Sequence, residues 1–223
     1  MKKLYPLLSV LFLIYWGCEE EQDTTPTEVT LWGEVYSVEN TTELVLYEIQ
    51  LTGEIPPEIG YLTNLTSLSL YSNELTGSIP PEIGNLTNLT SLSIINNELT
   101  GSIPPEIGNL TNLNILFLSN IQLSGSIPPE IWNLTNLGSL YLSDNQLTGS
   151  IPPEIGQLTN LFSFGLSNNQ LSGIIPEEIC NIGDTTPSLS NNQFCPPYPS
   201  CIENMDSFWF DYYVGEQDTT NCN

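Results

Sequence analysis

The sequence predicts an α/β solenoid that is mostly β with short 3₁₀ turns, and two observations lead to this prediction. A 24-residue unit occurs five times without insertion or deletion, at 54–77, 78–101, 102–125, 126–149 and 150–173. Each unit carries leucines at the same steps, so every copy offers the same apolar side chains for burial. One unit alone buries too little apolar surface to offset its conformational entropy, so the copies must stack on one another.

Each unit is predicted to contain one strand and one tight return. The step Leu68-x-Leu70 alternates between inward and outward positions, as a short strand requires. Pro56-Pro57 and the matching proline pairs prevent a long helix and predict a 3₁₀ turn on the opposite side of the unit. A degenerate sixth unit runs from Ile174 to about Asn192, and a half unit precedes Glu54.

The motif Leu51-Thr-Gly-Glu-Ile-Pro56, which recurs in the units, resembles the plant-type subfamily of leucine-rich repeats over about Leu44 to Phe194. The resemblance implies a right-handed leucine-rich repeat superhelix with a parallel concave sheet and a second short strand at the Ile-Pro step. It also implies a protein that works by binding. Ile121 interrupts the family's asparagine ladder, whose amides satisfy backbone groups and which is otherwise present at Asn73, Asn97, Asn145, Asn169 and Asn192.

The N-terminal segment predicts export and a lipid anchor. Residues 1–17 join two lysines to an apolar run, which is typical of a secretory signal peptide and too short for a stable membrane span. Gly17-Cys18 resembles the lipobox of bacterial lipoproteins, which implies acylation of Cys18 and anchoring to the bacterial outer membrane or cell surface. An ordinary signal peptide followed by a chance cysteine is the alternative.

The rest of the chain divides by composition and by the repeat. We expect a lipidated acidic tether at 18–30, an N-terminal cap with the half repeat at 31–53, leucine-rich repeats at 54–192 and a C-terminal cap at 193–223. Four cysteines predict two disulfides in one of three pairings, with a zinc site as the rival: Cys180, Cys195, Cys201 and Cys222. Five aromatic residues are expected to cover the end of the last repeat, and a second binding site there is the alternative: Phe208, Trp209, Phe210, Tyr212 and Tyr213.

The charge composition excludes several functions. The chain has 26 acidic residues, two basic residues, Lys2 and Lys3, and no histidine, for a net charge of −24. Once residues 1–17 are removed no cationic side chain remains to act as a base or a nucleophile, so we expect neither enzyme activity nor a cofactor. Nucleic acids and anionic lipids are poor partners because nothing would neutralise their phosphates.

The outward-facing strand positions form the candidate binding surface. Most of these positions hold serine, and against that background seven residues form an apolar and aromatic diagonal: Val45, Tyr47, Tyr71, Ile95, Ile115, Phe117 and Tyr141. Exposed aromatic residues on a concave surface are typical of protein interfaces and of sugar-stacking sites. The structural alternative is strand propensity, because tyrosine, phenylalanine, valine and isoleucine favour sheets.

A column of glutamates follows the proline pairs: Glu58, Glu82, Glu106, Glu130, Glu154 and Glu178. Negative charge suits the exposed N–H groups at the start of a helical turn. Loose binding of calcium or magnesium along the column is the alternative, although no acidic loop with dedicated ligand spacing is present. We therefore expect no metal site.

Together these features predict an extracytoplasmic leucine-rich repeat module for recognition or adhesion, with a protein or glycan partner on its concave sheet. Its negative charge favours neutral or basic partners. The alternative is a non-catalytic spacer of the envelope or cell surface, bridged by divalent cations through the glutamate column. A third hypothesis, which rests on the resemblance alone, is an inhibitor of a polysaccharide-degrading enzyme. The oligomeric state is left open.

Overall fold

The computed structural model describes residues 26–220 and Cys222. The predicted signal peptide, Cys18 and most of the predicted tether lie outside the described residues. Within the described part, no helix is long and apolar enough to cross a membrane. The strands are β1 Glu28–Leu31, β2 Glu34–Ser37, β3 Glu43–Val45, β4 Thr52–Gly53, β5 Ser67–Ser69, β6 Glu74–Leu75, β7 Ser91–Ser93, β8 Ile115–Phe117, β9 Ser124–Ser126, β10 Ser139–Tyr141, β11 Gln146–Thr148, β12 Ser163–Gly165, β13 Ser172–Ile174 and β14 Gln193–Cys195.

The helices are short; five begin at the second proline of a pair, η6 follows the single Pro176, and two lie near the C-terminus. The 3₁₀ helices are η1 Pro57–Tyr61, η2 Pro81–Asn85, η3 Pro105–Asn109, η4 Pro129–Asn133, η5 Pro153–Gln157 and η6 Glu177–Asn181. The α-helices are α1 Ser200–Glu203 and α2 Ser207–Tyr213. The predicted 3₁₀ turns are therefore confirmed in every unit.

Six parallel strands form the concave sheet in the order β12-β10-β8-β7-β5-β3. The register aligns residues 24 apart, so that Leu92 lies beside Leu68 and Leu116. The middle residue of each strand points inward and is buried, which builds one apolar core along the solenoid. The predicted parallel sheet is confirmed, and its outer face carries the first and third residue of every strand.

The first strands cap the N-terminal end of the solenoid. β1 and β2 form an antiparallel hairpin, whose turn residues Trp32 and Gly33 both have positive φ, at 49° and 90°. Two positive-φ residues give the tight hairpin turn whose twist matches that of the strands. Val29 and Leu31 are buried, and β1 packs against η1, so the hairpin covers the exposed end of the first repeat.

The second short strands pair on a different side of each unit, as β4 with β6, β9 with β11 and β13 with β14. Five of them end one to four residues before an Ile-Pro step, close to where the resemblance implies them. β14 has no such step after it, and residues 98–101 form no second strand. The glycine of this step has positive φ in every copy, for example 77° at Gly77 and 83° at Gly101. Glycine adopts this conformation without steric cost, which explains its place in the motif.

The 3₁₀ helices stack closely because a glycine lies in the second-to-last position of most of them. A Cβ added to Gly108 of η3 would lie 2.4 Å from the Cβ of Glu130 in η4. The fourth repeat has Trp132 in the equivalent position, and its side chain is 1% exposed. η4 and η5 accordingly pack less closely than the other consecutive 3₁₀ helices. Pro152, before η5, has φ −85° and ψ 162°, against −60° and 135° at Pro128, so the backbone enters η5 differently.

The asparagine ladder is confirmed by its hydrogen bonds. The Asn73 Oδ1 accepts from the N–H of Ile49 and of Leu51, while its Nδ2 donates to the carbonyls of Leu46 and Leu70, at 2.7 to 3.2 Å. Ile121 breaks this pattern and is fully buried. Asn120 does not replace it, since its φ is 56° and its Nδ2 donates to the Oδ1 of Asn96 at 2.9 Å, in a separate outer row.

Gln217 continues the ladder beyond its last asparagine, which the sequence analysis missed. Its Oε1 accepts from the N–H of Phe194 at 3.1 Å, and its Nε2 donates to the carbonyl of Leu189 at 3.0 Å. Asn192 makes the matching bonds one unit earlier, to the N–H of Leu171 and the carbonyl of Leu166. The chain therefore folds back to satisfy the end of the ladder with a longer amide.

Two disulfides hold the C-terminal region, pairing Cys180 with Cys201 and Cys195 with Cys222. The prediction that five aromatic residues cover the last repeat was wrong for four of them, because Phe208, Trp209 and Tyr212 are exposed and Tyr213 does not pack against the core. Only Phe210 of the five packs against the core. The end of the solenoid is instead covered by fully buried side chains, namely Phe194, Ile202 and Val214.

Candidate binding surface

The seven residues of the predicted diagonal lie on or just beyond the strands of the concave sheet. Val45, Ile115, Phe117 and Tyr141 are strand residues, and the other three follow their strands by two positions. Val45 and Tyr47, beside the N-terminal edge, are 52% and 57% exposed. The other five are half-buried. The sequence alternation therefore placed them all outside the core.

Three of the seven come together around one shallow depression. It has a volume of about 430 Å³ and is lined by Ile95, Phe117 and Tyr141 together with three serines, Ser119, Ser139 and Ser163. Val45, Tyr47, Tyr71 and Ile115 do not line it. The diagonal is thus a focused aromatic site in the middle of the sheet with weaker apolar extensions on either side.

Tyr141 is held in place on three sides. Its ring meets that of Phe117 edge to face, with centroids 5.3 Å apart and an interplanar angle of 84°. Its hydroxyl is hydrogen bonded to the Oγ of Ser163 at 2.7 Å. Its ring also lies above Gly165, where an added Cβ would be 2.6 Å from Cδ1 of Tyr141. The missing side chain at position 165 therefore makes room for the tyrosine ring.

The serines that line the depression supply hydroxyl groups beside the rings. The Oγ of Ser119 is buried and has no hydrogen-bond partner among the described residues. In the neighbouring repeats, by contrast, Ser167 donates to the Oγ of Ser143 at 3.1 Å. Because the Oγ of Ser119 is enclosed, its side chain would have to rotate before the hydroxyl could bond a ligand group.

Phe162 is a surface residue that the sequence analysis missed. It is 65% exposed and lies against Gly138, where an added Cβ would be 2.7 Å from its Cε1. It precedes β12 as Gly138 precedes β10, so it flanks the concave face beside Ser139 and Ser163. Aligning the units with one another reveals it, because the same position holds Thr66, Thr90, Asn114 and Gly138 in the other units.

The glutamate column lies in the first turns of the 3₁₀ helices, away from this depression. The Cβ atoms of Glu106 and Glu130 pack against the glycine of the preceding helix. Among the described residues, no group of three or more acidic, cysteine or histidine side chains is placed to hold a metal ion. Helix-start packing accounts for the regular spacing of the column.

The sequence profile described as Leucine Rich Repeat matches five segments, 64–86, 88–110, 112–134, 136–158 and 160–182. The chain belongs to the leucine-rich repeat family. The matches are contiguous except for single residues between them, and together they contain β5, β7, β8, β10 and β12. The strands that form the depression are therefore leucine-rich repeat strands.

Several solved leucine-rich repeat structures are similar to this chain. The ectodomain of the receptor kinase GASSHO1/SCHENGEN3 from Arabidopsis thaliana, in complex with CASPARIAN STRIP INTEGRITY FACTOR 2, is 42% identical with a TM-score of 0.68, covering 70% of this chain and 19% of that one. The ectodomain of the receptor kinase SOBIR1 from Arabidopsis thaliana is 36% identical with a TM-score of 0.55, covering 61% and 74%.

A plant ice-binding protein is also similar, at 34% identity and a TM-score of 0.62, covering 73% of this chain and 51% of that one. The chain spans only 19% of the GASSHO1/SCHENGEN3 chain, and only 26% of the chains of two further similar receptors, RGFR1 and the Arabidopsis receptor kinase HAESA. No curated protein matches the chain significantly. The similarity therefore assigns the leucine-rich repeat fold and does not by itself identify the partner of this chain.

Proposed function

We propose that this chain is an exported recognition module that binds a protein or peptide on its concave sheet, at the depression around Phe117 and Tyr141. The observation that carries the proposal is the fixed Tyr141 ring, which Phe117, Ser163 and Gly165 hold within a surface of serines. None of these contacts is needed by the solenoid, since Ser-Leu-Ser strands form the same sheet in β5 and β7.

The depression has the composition of an interaction site. Aromatic side chains dominate the energy of protein interfaces, and rings that are already fixed lose little entropy on binding. The three serines that line the depression add polar groups beside the rings, which can orient a ligand. Ile95 and Phe162 extend the apolar surface on two sides, which favours a partner that lies across several repeats.

A protein or peptide partner is favoured over a glycan by the structural relatives. The similar ectodomains include those of a receptor in complex with CASPARIAN STRIP INTEGRITY FACTOR 2 and of the peptide hormone receptor RGFR1 in complex with RGF2. The net charge of −24 further favours a neutral or basic partner. Adhesion through a surface protein is one form of this activity.

Export and lipid anchoring are part of the same proposal. The two disulfides fit an oxidising compartment outside the cytoplasm. The lipid on Cys18, the bacterial outer membrane or cell surface as location, and the boundaries of tether, repeats and caps rest on the sequence. An anchored module with a flexible acidic tether would present its concave sheet to partners in the surroundings.

The direct test is a binding screen of the purified protein against immobilised surface proteins, a peptide library, a glycan array and polysaccharide-degrading enzymes. The double variant Phe117→Ser/Tyr141→Ser restores the serines of β5 and β7 and should weaken a specific interaction at least 30-fold, since central aromatic residues contribute about 2 kcal/mol or more. Surface plasmon resonance gives the dissociation constants.

Tyr61→Ser is the matched control, because it removes an exposed ring that lies outside the sheet. Both variants should unfold within about 4 °C of the unchanged protein, as expected for surface substitutions. A ligand bound equally by the double variant and the control would refute the concave site. A glycan as the only ligand would refute the protein partner, and absence of any ligand would favour the spacer.

A further inference from the structure

The C-terminal helix α2 exposes an aromatic patch that the fold does not use. Phe208, Trp209 and Tyr212 are 68%, 44% and 65% exposed, whereas Phe210 and Val214 pack against the core. We call Phe208, Trp209, Tyr212 and Tyr213 the α2 patch. Since α2 is attached through the opposite side chains, covering the solenoid does not require these four rings.

The rings of the α2 patch pack on one another, which fixes their positions. Trp209 stacks on Tyr213 with centroids 5.6 Å apart and an angle of 21° between the planes. Phe208 meets Trp209 edge to face at 5.1 Å, and Tyr212 meets Tyr213 in the same way at 4.9 Å. The patch is therefore a formed surface of four rings in mutual contact.

The surroundings of the α2 patch are acidic. Asp211 lies within the helix and is exposed, Glu216 follows it and is exposed, and Asp206 begins it by accepting a hydrogen bond from the Trp209 N–H. The described residues contain no lysine, arginine or histidine, because the only cations of the chain are Lys2 and Lys3. No side chain of the described part can therefore occupy the ring faces as a cation.

We propose that the α2 patch binds a basic segment of a partner protein, whose arginine or lysine side chains lie over Trp209 and Tyr212. A cation over an aromatic ring is attracted by the ring quadrupole, and the exposed carboxylate of Asp211 on the same helix adds charge attraction and hydrogen bonding. A second copy of this chain is a poor occupant, because it would bring the same negative charge and no cation within its described residues.

This site is distinct from the concave depression, since none of the four rings lines it. The proposal therefore does not depend on the proposed function, and one protein can use both surfaces on a partner with apolar and basic regions. Substitutions can remove the two surfaces separately, so an experiment can refute one proposal without refuting the other.

Fluorescence anisotropy with a labelled ten-residue peptide of alternating arginine and glycine tests the α2 patch, with a glutamine-glycine peptide as the neutral probe. Trp209→Ser/Tyr212→Ser leaves every charge in place and should weaken the arginine peptide about tenfold, as two exposed cation–π contacts predict. Tyr61→Ser, which removes a lone exposed ring, should change its affinity by less than about twofold. Phe117→Ser/Tyr141→Ser should leave the tenfold effect intact.

Asp211→Asn keeps the rings and should also weaken binding of the arginine peptide, with a smaller dependence on salt. This variant covers the case in which the ring variant unfolds, which thermal melting would reveal. Equal binding of the glutamine peptide, or an unchanged affinity in both α2 variants, would overturn the proposal. Ring-dependent binding of chitohexaose or phosphatidylcholine vesicles, without an effect on the arginine peptide, would replace it with a glycan or lipid site.

Discussion

Repeats 1 and 2, at 54–101, have the same strand register and the same buried leucines as repeats 3 and 4, at 102–149, but different residues at a few other positions. On the concave face, the serines of β5 and β7 are replaced by Ile115, Phe117 and Tyr141. On the opposite side, Trp132 replaces the glycine of η4. In the core, just after the concave strand β8, Ile121 replaces an asparagine of the ladder.

The two sides respond differently to their substitutions. The concave substitutions leave the register unchanged, so the backbone does not need serine there and does not need aromatic rings either. The substitution at Trp132 moves η5 away from η4. Outward positions of the sheet are thus free to serve a partner, whereas the inner positions of the turns determine how closely neighbouring repeats pack.

The largest expected effect on stability comes from exchanging the residue in the second-to-last position of a 3₁₀ helix, which is tryptophan in η4 and glycine in η3. Trp132→Gly removes a fully buried indole from a site whose neighbours are spaced around it, which should lower the free energy of unfolding by about 3–5 kcal/mol. Urea denaturation followed by circular dichroism measures this. Gly108→Ala is the reciprocal change, and its Cβ would lie 2.4 Å from the Cβ of Glu130, at a cost of about 1–3 kcal/mol.

If Trp132→Gly were as stable as the unchanged protein, η5 would be able to close onto η4 without help, and the tryptophan would not determine the spacing. If Gly108→Ala were neutral, the close stack of η3 and η4 would be adjustable in the same way. Either result would mean that packing between neighbouring 3₁₀ helices does not distinguish the turn with tryptophan from the turns with glycine.

Substitutions in the asparagine ladder are expected to change the free energy of unfolding by an intermediate amount. In Asn97→Ile, the N–H of Leu75 and the carbonyl of Leu70 lose the side-chain bonds that now measure 3.2 and 2.8 Å. We expect a loss of about 2 kcal/mol in unfolding free energy, because unpaired buried backbone groups cost about 1–3 kcal/mol. Ile121→Asn should cost less than about 1 kcal/mol, since restored backbone pairing offsets the lost apolar burial. Equal costs for the two changes would mean that water satisfies the ladder.

Much of the fold followed from the repeat itself. Leucine spacing, proline pairs and the Leu-x-Gly-x-Ile-Pro motif specify the strand, the 3₁₀ turn and the left-handed glycine in each unit, because each feature has a local steric cause. The structure of the C-terminal end could not be predicted from the repeat, because Gln217 and α2 are placed by contacts with residues far away in the sequence. The disulfide pairing was open for the same reason.

The candidate site was only partly predictable. Alternation along the strands identified which residues face outward, but the grouping of Ile95, Phe117 and Tyr141 depends on which way each ring turns. Phe162 was missed because its exposure depends on neighbouring side chains. The rings of the α2 patch were expected to cover the last repeat, because the orientation of the helix that exposes them cannot be read from the sequence. Comparison of the units with one another offered a signal for Phe162, whereas α2 has no counterpart in the repeat.

The smallest expected effect on stability, and the most informative for the site, comes from Gly165→Ala. Its Cβ would lie 2.6 Å from the ring of Tyr141, so the ring has to turn away from Ser163 and from Phe117. We expect a change below about 1 kcal/mol in unfolding free energy, typical of an adjustable surface contact. The ring resonances of Tyr141 should shift in NMR spectra, and a ligand of the concave sheet should bind several-fold more weakly.

Ser163→Ala, which removes only the hydroxyl, is the control and should shift the resonances of Tyr141 less. Unchanged resonances in Gly165→Ala would mean that Tyr141 is not held by its neighbours, and the surface of repeats 3 and 4 would then be no more ordered for binding than that of repeats 1 and 2.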